Sequence, residues 1–156
     1  MKALIAAILW VAPYVGPPRA ESYAQLIHAE ATRGGIDPLL IVALVYKESR
    51  FRPGSYKARN YGLMQVRVSA SVNPDLIGRE KLLFNPRFNI KRGMRMARMW
   101  KRYHERTCGD DSGHPWNSHY QWGRKVGDPG SGERVRALYR KLVERFRGGD
   151  QAHSNR

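Results

Sequence analysis

The segment that most restricts the fold is residues 39–46, Leu-Leu-Ile-Val-Ala-Leu-Val-Tyr, which has no polar face in any regular structure. Periodicity alone leaves helix and strand both open. The flanks choose between them. Asp37 is a favoured N-cap, Pro38 suits a first helical position because its missing N–H has no partner there anyway, and Lys47, Glu48 and Ser49 continue past the run. The pattern predicts a buried helix over residues 38–49, and a helix that is apolar all round needs neighbours on every side. At 156 residues the chain has room for about one domain to supply them.

Those neighbours read as further helices. Ser22 is positioned to cap a first one, on which Tyr23, Ile27 and Ala31 recur at i, i+4 spacing, with Gly34-Gly35 as its stop. Asn89 reads as the cap of another, with Ile90, Met94, Ala97, Trp100 and His104 near one face and Lys91, Arg92, Arg95, Arg98, Lys101 and Arg102 around the rest. Residues 133–146 carry the cleanest amphipathic pattern, Val135, Leu138, Tyr139, Leu142 and Phe146. A polar loop follows Pro53, and an irregular stretch rich in Gly, His and aromatic rings precedes the last helix. No repeat or change of composition marks a second domain. The expected class is mainly α, with residues 21–147 as one domain of packed helices and 148–156 as a disordered polar tail.

Residues 1–20, MKALIAAILWVAPYVGPPRA, combine a lone Lys2, an apolar run over 3–12 and a Pro/Gly break ending at the small Ala20. This is the pattern of a secretory signal peptide, and the run is short for a membrane span. Export to the periplasm or cell wall is expected, with the segment cleaved or kept as an anchor. Lys and Arg number 28 against 13 Asp and Glu, a formal net charge of +15 that attracts polyanions of any kind. Export removes most nucleic acids from that set, and no nucleic-acid motif is present, so no specific nucleic-acid partner is expected. Cys108 is the sole cysteine, which excludes an internal disulfide. With His104, His114 and His119 it offers residue types that suit zinc. The spacings match no common ligand pattern and there is no H-E-x-x-H helix, so neither a metal nor any cofactor is expected.

On a helix, Val45, Leu44, Ile41 and Leu40 stand three, four, seven and eight residues before Glu48, on its own face. An acid at the end of such a stripe is desolvated, which penalises the ionised form and raises its pKa. A Glu protonated near neutral pH is what a general acid requires. The alternative is a helix-end Glu that reaches solvent and pairs with Lys47, Arg50 or Arg52. Only Glu48 among the acidic residues terminates a hydrophobic helix, but spacing by itself leaves both readings open.

Further motifs bear on the choice. Glu48-Ser49, Pro53, Tyr61-Gly62-Leu63-Met64-Gln65, Asn85-Pro86, Asn89-Ile90, Gly93 and His119-Tyr120-Gln121-Trp122-Gly123 follow one another along the chain. In these residues, over nearly all of 23–146, the sequence resembles the soluble lytic transglycosylase family. The pairing of Glu-Ser with Gly-Leu-Met-Gln is the most specific part of the likeness. The resemblance implies a goose-type lysozyme-like fold with a saccharide-binding cleft, and peptidoglycan glycan strands as substrate. It implies Glu48 as the single catalytic acid and base, Ser49 as its support beside the cleft, Met64 and Gln65 in the saccharide groove, and Tyr120 over the carboxyl group. Taken singly, Ser49 is equally a helix-end residue, Met64 core filler, Gln65 a partner for local backbone and Tyr120 a packed aromatic. Two departures concern the groove more than the acid. The loop between Glu48 and Gly62 is short and lacks a Gly-Ala pair, and His119-Tyr120-Gln121 stands where the family usually has Ala-Tyr-Asn.

Ordinary glycosidases use two carboxyl groups, and no second acid belongs to this motif set. The resemblance therefore implies cleavage without water: Glu48 protonates the bond between N-acetylmuramic acid and N-acetylglucosamine, and the muramic 6-hydroxyl closes an anhydro ring. One alternative is a hydrolytic muramidase of the same fold with Asp75 or Asp110 as second carboxylate. Another is a non-catalytic basic protein that binds wall polymer or another polyanion through its Arg-rich helix. The protein is expected to act as a monomer, its charge drawing it to anionic wall polymers or the membrane surface.

Overall fold

Asp37 and Pro38 start the central helix as their chemistry requires. In the computed structural model, which describes residues 1–108 and 112–147, α3 spans Pro38–Ser49 and the Asp37 carboxylate accepts the Leu39 N–H at 2.9 Å. Every residue from Leu39 to Val45 is buried. Three helices surround this apolar rod: α1 (Lys2–Val11), α2 (Pro17–Arg33) and α6 (Pro129–Arg147). The long α4 (Pro86–Thr107) packs on α2, and the short α5 (Asn117–Trp122) contacts both α4 and α6. The class is mainly α and lysozyme-like, as the sequence led us to expect. The tail 148–156 and the acid Asp110 lie outside the described residues.

The apolar spacing places the helices, while several starts differ from expectation. Tyr23, Ile27 and Ala31 are buried on α2, but that helix begins at Pro17, six residues before Tyr23, so Ser22 lies within it and caps nothing. Helix α4 is capped by Asn85, whose side chain accepts the Phe88 N–H at 3.1 Å. Pro86 then takes the first helical position, the same Asx-Pro device that opens α3. Asn89 is inside the helix and fully buried. Helix α6 starts at Pro129, before the amphipathic pattern becomes legible. It is tied back to the head of α3 through Asp37, which accepts hydrogen bonds from Tyr139 at 2.7 Å and from Arg147 at 2.6 and 2.7 Å.

Residues 1–20 are helical and packed. Leu4, Ala7, Ile8, Ala12, Val15 and Ala20 are buried, and Ala20, the expected processing point, lies within α2. Tyr14 donates its hydroxyl to the Arg50 carbonyl at 2.6 Å, bracing the chain just past Glu48. Among the described residues no helix is long and apolar enough to cross a membrane.

The expected polar loop contains a small antiparallel sheet, β1 (Tyr56–Lys57), β2 (Asn60–Tyr61) and β3 (Val66–Arg67), in that order. Tyr61 pairs with Tyr56 on one side and Val66 on the other. Ala58 and Arg59 turn the first hairpin with positive φ of 49° and 64°, the conformation that a two-residue hairpin turn demands. The turn after β2 is held from α4. Asn89 donates to the carbonyls of Tyr61 and Leu83, each at 2.8 Å, and accepts the Met64 N–H at 2.8 Å. This contact leaves no space for side chains at two positions. A Cβ on Gly62, where φ is 73°, would lie 2.2 Å from the Leu83 oxygen and 2.3 Å from Asn89 Nδ2. On Gly93 it would lie 2.5 Å from Met64 Sδ.

Asn89→Ala removes all three bonds from a place closed to water and strands one N–H and two carbonyls. At roughly 1–3 kcal/mol for each orphaned group, the expected loss is at least about 3 kcal/mol of unfolding free energy in a urea titration. A loss under about 1 kcal/mol would mean that the turn stands without this side chain.

Candidate active site

Glu48 is in the last turn of α3, above the buried Leu40, Ile41, Leu44 and Val45. Its side chain is half-buried, and one carboxylate oxygen accepts a hydrogen bond from Gln121 Nε2 at 2.6 Å. Burial raises its pKa from an ordinary 4.5 to about 7, against the opposing effects of the Gln121 hydrogen bond and the Lys47 charge. Desolvation thus outweighs both stabilisers of the anion. Among the described residues no second carboxylate contributes to the shift. Asp75, one of the two alternative second acids, is exposed in the Pro74–Leu76 turn and ion-paired with Arg92.

Tyr120 comes to Glu48 from α5. It is buried, and its hydroxyl donates to the Met64 carbonyl at 2.9 Å. Burial, and then the negative charge of Glu48, hold its pKa well above 10. It is therefore a neutral hydrogen-bond donor throughout the range in which Glu48 titrates. Ser49 does not touch the Glu48 carboxyl. Its hydroxyl donates to the Leu63 carbonyl at 2.7 Å, with the Val45 carbonyl also near at 3.3 Å. Its support is indirect: it fastens the end of α3 to the turn that carries Met64.

The expectation that Met64 lines an open groove needs correction, because its side chain is fully buried. It fills the space left by Gly93, and only its carbonyl, bound to Tyr120, reaches toward the site. Gln65 is half-buried with φ 47°, and its amide donates to the carbonyls of Gly62 at 2.9 Å and Ser55 at 3.2 Å. That use of the side chain secures the turn. Gln121 is the contact that spacing did not single out. It stood only as a departure from the usual Asn, yet it is the residue that hydrogen-bonds Glu48.

The structure also gathers the four residues whose types suit zinc but whose spacing in sequence matches no common ligand pattern. His104 and Cys108 at the end of α4, His114 in the following turn and His119 in α5 place their ligand-type atoms within 4.8 Å of one another. Beside them is an open depression of about 320 Å³ lined by His104, Gly113, His114, Pro115, Glu133 and Arg136. Glu48 is not part of it.

The profile of the transglycosylase SLT domain matches residues 25–114, more than half of the 156-residue chain. The match takes in Glu48, the turn at 62–65, and Asn89 with Gly93, but ends before Tyr120 and Gln121. Comparisons with curated proteins and with solved structures give no match. The ordered elements around Glu48, and this match over them, place the chain in the transglycosylase SLT domain family, whose members act on peptidoglycan.

Proposed function

We propose that this protein is a peptidoglycan lytic transglycosylase in which Glu48 is the single general acid and base. The reading is carried by one observation: a carboxyl group that burial keeps protonated up to about pH 7, with Gln121 on it and, among the described residues, no second carboxylate acting on it. In this scheme the Glu48 proton passes to the glycosidic oxygen as the bond from C1 of N-acetylmuramic acid breaks. The resulting carboxylate then takes the proton of the sugar's 6-hydroxyl, whose oxygen bonds to C1 and closes the anhydro ring. Acid and base are one group in two successive states, and water is not consumed. Gln121 and Tyr120 keep roles that suit this cycle. Gln121 supports the anionic state by donating to it, while Tyr120 holds the wall of the site without exchanging protons.

A peptidoglycan substrate and the leader-like composition of residues 1–20 support an enzyme that works outside the cytoplasmic membrane, in the periplasm or at the wall, with residues 1–20 proposed as the export signal. The +15 net charge favours contact with anionic wall polymers. The mass of the exported chain distinguishes removal of residues 1–20 from their retention.

Three measurements test this reading. Purified sacculi digested by the wild type should release fragments ending in anhydro-muramic acid, and Glu48→Gln should lower the rate by roughly 10²–10⁴-fold. Reducing muramic ends would make the enzyme a hydrolase, and an unchanged rate would remove Glu48 from the chemistry. Activity should fall as pH rises through about 7, where Glu48 loses its proton. Because the Gln121 hydrogen bond lowers that pKa, Gln121→Ala should move this limb to higher pH. A limb that stays in place would detach Gln121 from the acid.

The same group makes stability depend on pH. Between 4.5 and about 7 the folded chain keeps the Glu48 proton while the unfolded chain has released it, so this carboxyl weakens the fold as pH rises through that window. Glu48→Gln should match the wild type in thermal midpoint below about pH 4.5 and exceed it by a widening margin up to about 7. A constant difference across this range would mean that the carboxyl is not desolvated in the folded protein.

A further inference from the structure

The positions of His104, Cys108, His114 and His119 correspond to a sequence spacing of His-x3-Cys-x5-His-x4-His. The first pair is an i, i+4 pair at the end of α4, so both side chains leave the helix on one face. His119 is carried by α5 and buried, and the ring of His114 lies 4.9 Å from it between centroids. The rings of Trp100 and Tyr103 flank His119 at 5.8 and 5.3 Å, completing an apolar wall.

The hydrogen bonds fix which nitrogens face inward. His119 Nδ1 is 2.7 Å from the Gly123 carbonyl, and His114 Nδ1 is 2.9 Å from the Ser112 carbonyl. A carbonyl only accepts, so each Nδ1 carries a proton and each neutral ring presents a bare lone pair at Nε2. Those two Nε2 atoms lie 3.2 Å apart, and Cys108 Sγ is 3.5 Å from that of His119. Two lone pairs do not hold each other at this distance. Something positive must lie between them, a proton or a cation.

The distances identify which cation fits. In a tetrahedral zinc site with bonds of about 2.05 Å to nitrogen and 2.3 Å to sulfur, neighbouring ligand atoms are about 3.3 Å apart for two nitrogens and about 3.5 Å for nitrogen and sulfur. Both close pairs here already match. The widest separation the set allows, 4.8 Å, has to close by about 1.3–1.5 Å to reach the same geometry. Backbone carbonyls on the remote nitrogens of two histidines are the usual outer partners of zinc-bound imidazole. The open depression along His104 and His114 gives the ion a route in.

We propose that His104, Cys108, His114 and His119 bind one zinc ion through three imidazoles and a thiolate, a closed site of structural type. The ion ties the end of α4 to α5, the helix that delivers Tyr120 to Met64 and Gln121 to Glu48. The site stands on its own geometry and does not require the catalytic reading.

Cobalt(II) titrated into the untagged, chelator-treated full chain should give the thiolate-to-metal charge-transfer band and the strong visible absorption of tetrahedral cobalt. Both should saturate at one ion per chain and be displaced by zinc. Zinc at a hundredfold excess over its Kd should raise the thermal midpoint by about 5–10 °C, and Cys108 should lose its reactivity toward a disulfide reagent. Cys108→Ser should abolish the charge-transfer band. His114→Ala, which tests the same set should the serine variant not fold, should weaken zinc binding at least tenfold, while His28→Ala on the exposed face of α2 changes nothing. A wild-type chain that gives no tetrahedral cobalt spectrum and melts indifferently to zinc holds a shared proton between its histidines, and the metal site is then overturned. A band that survives in Cys108→Ser overturns it equally.

Discussion

Three hydrogen bonds to one buried amide hold the site together. Asn89 sits on α4, yet its partners are the backbone of residues 61, 64 and 83, so the turn between β2 and β3 is fastened to a helix that follows it by some 25 positions. Glycine at 62 and 93 is the steric condition for that approach, since a methyl group at either place would overlap what it faces. The carbonyls of this same turn then receive Ser49 from α3 and Tyr120 from α5. The flank of the acid and the helix that crosses over it are thus referred to one short piece of backbone. Motif positions that look like substrate contacts in sequence turn out, in large part, to be the fixings of that piece.

Glu48 shows how position alone makes an acid. It ends an apolar helix, so its carboxyl leaves water on one side without entering the core, and burial prevails over a close hydrogen bond and a neighbouring lysine. The last turn of a helix, where unpaired carbonyls gather, is also the unfavourable end for an anion. After it the chain leaves at once: Arg50 and Phe51 both take positive φ, 51° and 57°, an uncommon pair for residues with side chains. That sharp exit buries Phe51 against Tyr23, and the Tyr14 hydroxyl holds the Arg50 carbonyl. Backbone strain of this kind persists only when surrounding contacts fix it, and here two contacts do.

Legibility followed the strength of local signals. Asp37-Pro38 before an apolar run defines α3 almost without help, and the spacing of Val135, Leu138 and Leu142 defines most of α6. Asn85-Pro86 carries the same signal as Asp37-Pro38, but a second Asn four residues on drew the cap to itself. The buried role of Asn89 depends on strands that no window of sequence contains. The hairpin at Ala58-Arg59 was hidden because neither residue is Gly or Asn, so its turn has no chemical mark. The leader-like composition of residues 1–20 and their packing in the fold use the same apolar side chains, and composition does not separate the two. The family resemblance puts Met64 in the groove, whereas the missing side chain of Gly93 leaves room that draws it inward.

The histidines and Cys108 are the case where spacing in sequence does not show nearness in space, for a physical reason. Common zinc patterns place ligands in pairs within one turn or knuckle, whereas here three separate pieces of backbone contribute, and only the docking of α5 beside the end of α4 brings them together. Helix α5 has six residues, too few to hold a helix by its own hydrogen bonds. Its place has to be imposed through side chains. Asn117 donates to the Gly132 carbonyl on α6 at 3.0 Å, Tyr120 to the turn, and His119 faces the cluster on α4. The same short helix ends with Gln121 on the acid. A displacement of α5 by one ångström would break a 2.6 Å hydrogen bond to Glu48 and take away a donor that favours its ionised form. The protonation of the acid and the fixing of this helix are therefore two aspects of one arrangement.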